Sequence, residues 1–312
     1  MALNTAKATA VLRDVTKNFD HAVASATPFY PTLCTVVPSS GLDEKYSILG
    51  NMPGVSEWLG ERKFEELRAG TYTLANKHWE SSLLVQKTDI SDDRVGFYGN
   101  LGAQLGIEAA YHPDELLFDI VNNAEANACF DGQFFYDTDH LWGDSGSQSN
   151  DLTSNVTTPT APTLAEFKIA YHAALAAMVA FKRDNGKYYM RPTVENLGDL
   201  IIMVPTNFRQ VATEMVNATT LLGSAGAANN IVLDRPRVVT SPHFDTAGSG
   251  TKFDLYYTGG QLKPYVFQAR EPLSRQTKGL DDLETKAAKF MTEARYNVGY
   301  GAWWTAVRTT LT

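Results

Sequence analysis

The chain has 312 residues and a formal net charge of −8, with 27 Lys and Arg residues against 35 Asp and Glu residues. Hydrophobic residues make up 44% of the chain and charged residues 20%, which excludes a disordered or fibrous protein and allows a sizeable core in one large unit or two closely joined ones. The acidic balance argues against a protein whose main task is to grip nucleic acid, because binding phosphates requires surplus cations.

The N-terminal residues and the two cysteines indicate a soluble intracellular protein. Residues 1–26 carry several charged side chains and lack the apolar core of a secretory signal. The longest aliphatic run, Leu200–Val204, is too short to cross a membrane. Cys34 and Cys129 form no CxxC motif, so we expect two buried or half-buried thiols rather than a disulfide.

The first 55 residues are predicted to form an arm. Apolar side chains recur at helical spacing within residues 10–23, at Leu12, Val15 and Phe19, which predicts an amphipathic helix. Residues 26–55 are rich in Pro, Ser and Gly and are predicted to be irregular. Such an arm has no core of its own, and we expect it to lie either on the rest of the chain or on a neighbouring subunit.

Residues 62–90 are predicted to form a long two-stranded excursion. Strand-forming residues, including Tyr72 and Trp79, lie on both sides of the polar stretch 76–78, which suits a hairpin turn. A lone two-stranded hairpin is marginal in water, so these aromatic side chains require a covering surface.

Two helices are predicted next. Ser91 is a plausible N-cap for a helix that runs to about Ala110, and His112, Pro113 and Asp114 are typical of the start of a second helix. A capping box at Thr163 and Glu166 opens a further helix that ends near residue 185.

The remaining elements favour the α+β class, because strands and helices are mixed without regular βαβ alternation. The adjacent Trp303 and Trp304 would point to opposite faces of a strand, which allows one to lie in the core and the other to anchor an interface, but burial of both is favoured. The predicted elements are a buried strand at Leu200–Val204, a helix over about 207–218, strands at 238–240, 253–257 and 264–269, and a last helix over 281–294.

One cluster has the residue types of a metal site. Asp137, Asp139 and His140 lie close together, with Asp131 nearby. The same residues also suit a structured turn, in which carboxylates accept backbone hydrogen bonds, and this second interpretation is favoured because no distant ligands are evident.

Several strings resemble the major head subunit of Mu-like phages. The most specific is residues 129–140, CFDGQFFYDTDH, and residues 295–301, RYNVGYG, resemble the closing segment of that family. Residues 145–280 match only in the order of their elements. The other resembling strings are Trp58-Leu59-Gly60-Glu61-Arg62, Asn76-Lys77-His78-Trp79-Glu80, Asp89-Ile90-Ser91-Asp92-Asp93, Leu105-Gly106 and Pro113-Asp114-Glu115-Leu116.

The resemblance implies an α+β Hong Kong 97-like capsid fold with a characteristic order of parts. These are an N-terminal arm over 1–55, an extended hairpin called the E-loop over 56–91, a P-domain with a long spine helix over 92–190, an A-domain over 191–250, and a return to the P-domain over 251–312.

The same resemblance implies a structural protein of the virion and no enzyme, cofactor or metal. We expect hexamers and pentamers of an icosahedral shell, assembled in the host cytoplasm around packaged DNA, with a scaffold protein, head protease, portal and decoration protein as further partners. The expected inter-subunit contacts are Arg62, Tyr72, Trp79 and Glu80. The alternatives are an encapsulin-like nanocompartment shell and a metal-dependent hydrolase that uses Asp137, Asp139 and His140.

Overall fold

The structure, a computed structural model, describes residues 2–46, 72–92, 96–141, 143–190, 197–217, 220–223, 226–229, 235–245, 250–280 and 287–312. Helices and strands are mixed along the chain, which confirms the α+β class. The helices are α1 (Ala2–Ser25), α2 (Tyr30–Leu33), α3 (Lys87–Ser91), α4 (Gly96–Asn122), α5 (Leu164–Ala180) and α6 (Arg209–Asn217). The strands are β1 (Cys34–Pro38), β2 (Asp43–Tyr46), β3 (Tyr72–Ala75), β4 (Lys77–Gln86), β5 (Asp151–Ser154), β6 (Leu200–Val204), β7 (Thr220–Gly223), β8 (Gly226–Asn229), β9 (Arg237–Thr240), β10 (Lys252–Tyr257), β11 (Tyr265–Lys278), β12 (Ala287–Tyr300) and β13 (Ala306–Leu311).

Two larger sheets organise these elements. The first has the order β1-β11-β12-β4, in which the long antiparallel pair β11 and β12 is flanked by β1 and β4. The second has the order β5-β13-β10-β6-β9. Two small antiparallel pairs, β2 with β3 and β7 with β8, complete the described strands.

The five-stranded sheet lies in the main core. All five residues of β6 are buried, as expected for a continuous apolar run. Helix α5 covers the sheet with Phe167, whose ring contacts those of Phe208 and Phe253. Both Trp303 and Trp304 are buried, but they lie in a short 3-10 turn rather than on a strand. Cys34 and Cys129 are buried free thiols. In the described part of the chain, no helix is long and apolar enough to cross a membrane.

Helix α1 packs on α4 of its own chain. The predicted apolar stripe is buried, with Val15 and Phe19 nearly inaccessible to solvent. Two glycines of α4 allow close approach: a Cβ at Gly102 would lie 2.7 Å from the carbonyl oxygen of Val15, and one at Gly106 would lie 2.6 Å from that of Phe19. Of the two surfaces expected for the arm helix, the rest of the chain is therefore the one it contacts.

The predicted hairpin over 62–90 is wrong in its pairing. Strands β3 and β4 follow each other but belong to different sheets, since β3 pairs with β2 and β4 pairs with β12. Residues 62–71 lie outside the described residues. Strand propensity located both strands, but it carries no information about their partners.

The predicted break between two helices at residues 111–112 is also wrong. Ser91 ends the short α3 rather than capping the long helix, and α4 continues from Gly96 through Pro113 to Asn122. A proline inside a helix costs about 3 kcal/mol. Burial of both halves of α4, at Gly102 and Gly106 on one side and Leu117 on the other, offsets that cost.

The predicted last helix over 281–294 is a strand where it is described. Residues 281–286 lie outside the described residues, and Ala287–Tyr300 forms β12. This segment contains good helix formers, such as Ala, Lys and Glu. β12 pairs with β11 on one side and with β4 on the other, so its backbone N–H and C=O groups find hydrogen-bond partners on both edges. This tertiary context outweighs the local preference for helix.

Candidate assembly surfaces

Trp79 anchors β4 to its own chain. Its Nε1 donates a hydrogen bond of 3.0 Å to the carbonyl oxygen of Tyr296 on β12. Its ring meets the imidazole of His112 on α4 edge to face, with centroids 4.4 Å apart. Burial lowers the pKa of His112, which favours a neutral imidazole at this contact. The expected contact residue Trp79 is thus half-buried between a helix and a sheet of the same subunit.

Tyr72, at the start of β3, similarly anchors its strand to β12 of the same chain. Its hydroxyl accepts a hydrogen bond of 3.2 Å from the backbone N–H of Tyr300. A Cβ at Gly299 would lie 2.8 Å from that hydroxyl, so glycine is needed for the close approach. Burial raises the pKa of Tyr72.

Glu80 is exposed on β4, directly opposite Glu293 on β12. Two like charges that face each other across strands destabilise a pair slightly. Glu293 also lies 3.9 Å from Nε2 of His78. Arg62, the fourth expected contact residue, lies outside the described residues. The structure therefore leaves the Glu80 carboxylate exposed, whereas Tyr72 and Trp79 are held within the chain.

His140 is fully buried and held on both sides. Its Nδ1 lies 2.7 Å from Oδ2 of Asp131, and its Nε2 lies 3.1 Å from Oδ1 of Asn150. The amide nitrogen of Asn150 donates to the carbonyl oxygens of Phe135 and Trp303, which fixes the amide oxygen toward the histidine. Both ring nitrogens face hydrogen-bond acceptors, so neither is left to coordinate a metal ion.

The two neighbouring aspartates shape a turn. Asp137 accepts hydrogen bonds from the backbone N–H groups of Phe134 and Thr138. Asp139 is exposed, and hydrogen bonding to Asp137 raises its pKa. In the described ranges, no group of three or more His, Cys, Asp or Glu residues could hold a metal ion. The geometry therefore supports the structured turn, and a hydrolytic metal site at Asp137, Asp139 and His140 has no ligand set here.

A buried charge network, which the sequence analysis missed, joins α4 to the five-stranded sheet. Arg308 on β13 is buried and contacts both carboxylate oxygens of Asp254 on β10. The same guanidinium reaches Glu125 at 3.1 Å, and Lys252 reaches Glu125 at 2.7 Å. The available signal was Asp254, a charged residue between Phe253 and Leu255 in a strand that the sequence predicted.

Helix α4 exposes an apolar outer face. Phe97, Ile107 and Tyr111 lie on one side of the helix and keep 65%, 47% and 37% of their surface exposed. Glu108 and Glu115 are exposed beside them. An apolar helix face that the described residues leave uncovered is typical of a surface that packs against another molecule.

Comparisons with known proteins identify relatives of this chain. A protein-family description, Mu-like prophage major head subunit gpT, matches residues 9–169. The chain is similar to the Mu-like prophage FluMu major head subunit of Haemophilus influenzae, with 39% identity over 142 residues that cover 45% of this chain and 46% of that protein. It is also similar to the major capsid protein of Escherichia phage Mu, with 32% identity over 140 residues and the same two coverages, 45% and 46%. The chain thus spans about half the length of the curated relatives it matches.

A solved structure extends the likeness over nearly the whole chain. The procapsid of bacteriophage JBD30 matches with a TM-score of 0.53 and 25% identity, and the match covers 97% of this chain and 74% of that chain. The predicted Hong Kong 97-type capsid fold is therefore confirmed.

Proposed function

Because the chain belongs to the Mu-like prophage major head subunit family, we propose that it is the major capsid protein of a tailed bacteriophage. In this proposal, copies self-assemble into hexamers and pentamers of an icosahedral shell that encloses double-stranded DNA. The chain is then a structural component of the virion, and its family is one of head subunits rather than enzymes. The match to that family over residues 9–169 is the observation that carries the proposal.

The uncovered surfaces of the single chain support this role. The apolar outer face of α4, with Phe97, Ile107 and Tyr111, is left in contact with water in one copy. Packing of a neighbouring copy would remove that surface from water, at about 25 cal/mol for each Å² of apolar area. A shell gives every copy neighbours on several sides, so it supplies such cover without a different partner.

The charge of the chain suits an enclosing wall. A net charge of −8 repels packaged duplex DNA, so contacts with DNA should be non-specific and weak. We propose that the DNA is retained by enclosure.

Further partners follow from the family role. We propose a scaffold protein, a head protease, a portal and a decoration protein, each of which meets a finished or growing shell rather than the isolated chain. Helix α1 is part of the folded unit, with Val15 and Phe19 buried on α4. Trimming by a protease within α1 would expose this apolar surface, so we expect α1 to be retained in the shell.

Two kinds of inter-subunit role are proposed for the residues singled out in the sequence. Glu80 is exposed and can contact a neighbour directly. Tyr72 and Trp79 act by holding β3 and β4 in place, through their bonds to Tyr300 and Tyr296. Arg62 remains a prediction for direct contact.

The experiment that tests the function is electron microscopy of the purified chain, combined with size-exclusion chromatography over a range of protein concentrations. Rings, tubes or shells are expected. A strictly monomeric species at high concentration, with or without a coexpressed scaffold protein, would contradict the proposal. Shells recovered from infected or induced cells should contain DNA, whereas a nanocompartment shell, the second candidate, should contain a protein cargo.

A further inference from the structure

Helix α5 is apolar on all sides. Its inner face buries Phe167, Tyr171 and Met178 in the main core. Its outer face carries mostly alanine, together with the exposed His172 and with Ile169, which keeps 68% of its surface exposed. Only Glu166 and Lys168 carry a full charge in the whole helix. A helix that is hydrophobic all round is usually covered on every side, yet the described part of the chain covers this one on one side only.

A groove runs along this uncovered side. It has a volume of about 1180 Å³ and an opening to solvent. One wall is α5, at Leu175 and Val179, and the other is the segment 183–190. Tyr188 stands 57% exposed in that second wall. We refer to this feature, lined by residues 172–190, as the α5 groove.

The second wall of the α5 groove is rigid. Residues 182–189 form a small hairpin, in which the backbone N–H of Arg183 donates to the carbonyl oxygen of Lys187 at 2.7 Å. Its turn contains Gly186 with φ of +72°, which glycine adopts without strain. The ring of Tyr189 stacks on Trp304 with centroids 4.2 Å apart, so the wall is fixed to the core. A pre-formed groove loses little entropy when it is filled.

The rim of the α5 groove is positively charged. Arg183 and Lys187 line the groove, with Asp184 as the one acid between them in the sequence. The Nε of Arg183 is buried and has no hydrogen-bond partner in the described part of the chain. The chain as a whole is acidic, with a net charge of −8. The two cations that line the groove therefore have the opposite sign to the net charge of another copy.

We propose that the α5 groove is an assembly interface that receives an acidic, partly apolar surface of a second copy of this chain. The inference rests on the proposed function and adds to it the position and the symmetry of one contact. Repulsion between their cationic rims disfavours a contact in which two α5 grooves face each other. The contact is heterologous, from the groove of one copy to a different surface of the next, and contacts of this type generate rings. The outer face of α4, with Glu108 and Glu115, is one surface of the required sign.

The test fills the α5 groove by substitution and measures assembly. Ala176 lies on the groove wall, and Ala176→Arg places a long cation where the apolar surface of the neighbour would sit. Alanine and arginine are both good helix formers, so α5 should keep its helicity, which circular dichroism and urea unfolding check. Ala10→Arg, at an exposed position of α1, is the matched control. We expect the assembled fraction to fall roughly tenfold for Ala176→Arg, because one modest contact between copies is lost. For Ala10→Arg we expect the assembled fraction to stay at the wild-type level.

A crosslinking experiment provides a second readout. Assembled wild-type protein is made from equal amounts of unlabelled and ¹⁵N-labelled copies and treated with a carbodiimide, which joins lysine amines to carboxylates in contact. Crosslinks from Lys187 to an Asp or Glu of the other isotope are expected, and they identify the acidic surface.

The two proposals fail in different ways. If wild-type protein never assembles, the proposed function is wrong. If wild-type protein assembles, and Ala176→Arg assembles equally well without any inter-copy crosslink at Lys187, the shell is built without the α5 groove and this inference is overturned.

Discussion

Arg308 and Asp254 face each other across β13 and β10 and form a two-pronged ion pair in the interior. The Nε–Oδ1 distance is 2.8 Å and the Nη2–Oδ2 distance is 2.7 Å. Nη2 also donates to the carbonyl oxygen of Val121 at the end of α4. The guanidinium thereby connects the long helix, which carries one uncovered face, to the five-stranded sheet, which carries α5. The ion pair therefore helps to hold the outer face of α4 and the α5 groove in fixed positions relative to each other.

Replacing this arginine should destabilise the fold strongly. Arg308→Met leaves the Asp254 carboxylate buried without its partner, and we expect the free energy of unfolding to fall by about 3–5 kcal/mol. Arg295→Met is the control, because the pair of Arg295 and Glu271 is partly exposed, with 28% and 54% of the two side chains accessible, and its loss should cost about 1 kcal/mol or less. Urea unfolding followed by circular dichroism measures both. Equal losses for the two variants would mean that the buried pair has no special role.

Asp151 should make stability depend on pH. Burial, followed by repulsion from Glu125, raises its pKa from 3.8 to about 6. A carboxyl group with a higher pKa in the folded state binds its proton more tightly there. Its favourable contribution to stability is therefore fully present below pH 3.8 and is lost as the pH rises through 6.

The variant Asp151→Asn tests this effect, because it carries no ionisable group. We expect no difference from wild type near pH 3.5 and a gain of about 1–2 kcal/mol in the free energy of unfolding at pH 7–8, a value reduced for partial exposure of the side chain. Urea unfolding at several pH values measures the difference. Asp43→Asn, which also changes the first residue of a strand but at an exposed site, serves as control. A constant offset at all pH values would contradict the assigned cause.

The contact between α1 and α4 should be sensitive to one methyl group. In Gly102→Ala the new Cβ would lie 2.7 Å from the carbonyl oxygen of Val15, so the helices must move apart. We expect a loss of about 1–3 kcal/mol, as for other overpacked sites. Gly96→Ala, at the start of α4 with nothing within 4 Å, should instead be neutral or stabilising by up to about 1 kcal/mol. Thermal unfolding separates them, and proteolysis within α1 should accelerate in Gly102→Ala alone.

The His140 cluster should behave as a hydrogen-bonded unit without metal. His140→Phe retains a ring against Trp303, where the centroids of the native rings are 4.0 Å apart, but it leaves the carboxylate of Asp131 buried and unpaired. We expect a loss of about 3–5 kcal/mol, partly recovered in the double variant with Asp131→Asn, which removes the charge. EDTA should leave the Tm of the wild-type protein unchanged. A drop in Tm on addition of EDTA would instead support a metal site at Asp137, Asp139 and His140.

Some of the fold and the site could be read from neighbouring residues in the sequence. The capping box is an example: Thr163 and Glu166 exchange hydrogen bonds three residues apart, and bonds to Thr157 and Thr163 lower the pKa of Glu166 to about 2. The buried strand Leu200–Val204 and the amphipathic α1 were predicted for the same reason, because their signals lie within one turn or a few residues. The string over 129–140 indicated the family through its resemblance to the head subunits of Mu-like phages.

Other features were decided by tertiary structure. Trp79 bonds to Tyr296, and Tyr72 bonds to Tyr300, across more than 200 residues of chain. Long-range strand pairing also makes residues 287–300 a strand, although they include good helix formers. Packing at both ends of α4 allows that helix to continue through Pro113. The apolar outer side of α5 was visible as composition, but only the folded chain shows which side stays uncovered. Local preferences amount to tenths of a kcal/mol per residue, whereas sheet pairing and burial act on whole elements, so the latter prevail wherever the two disagree.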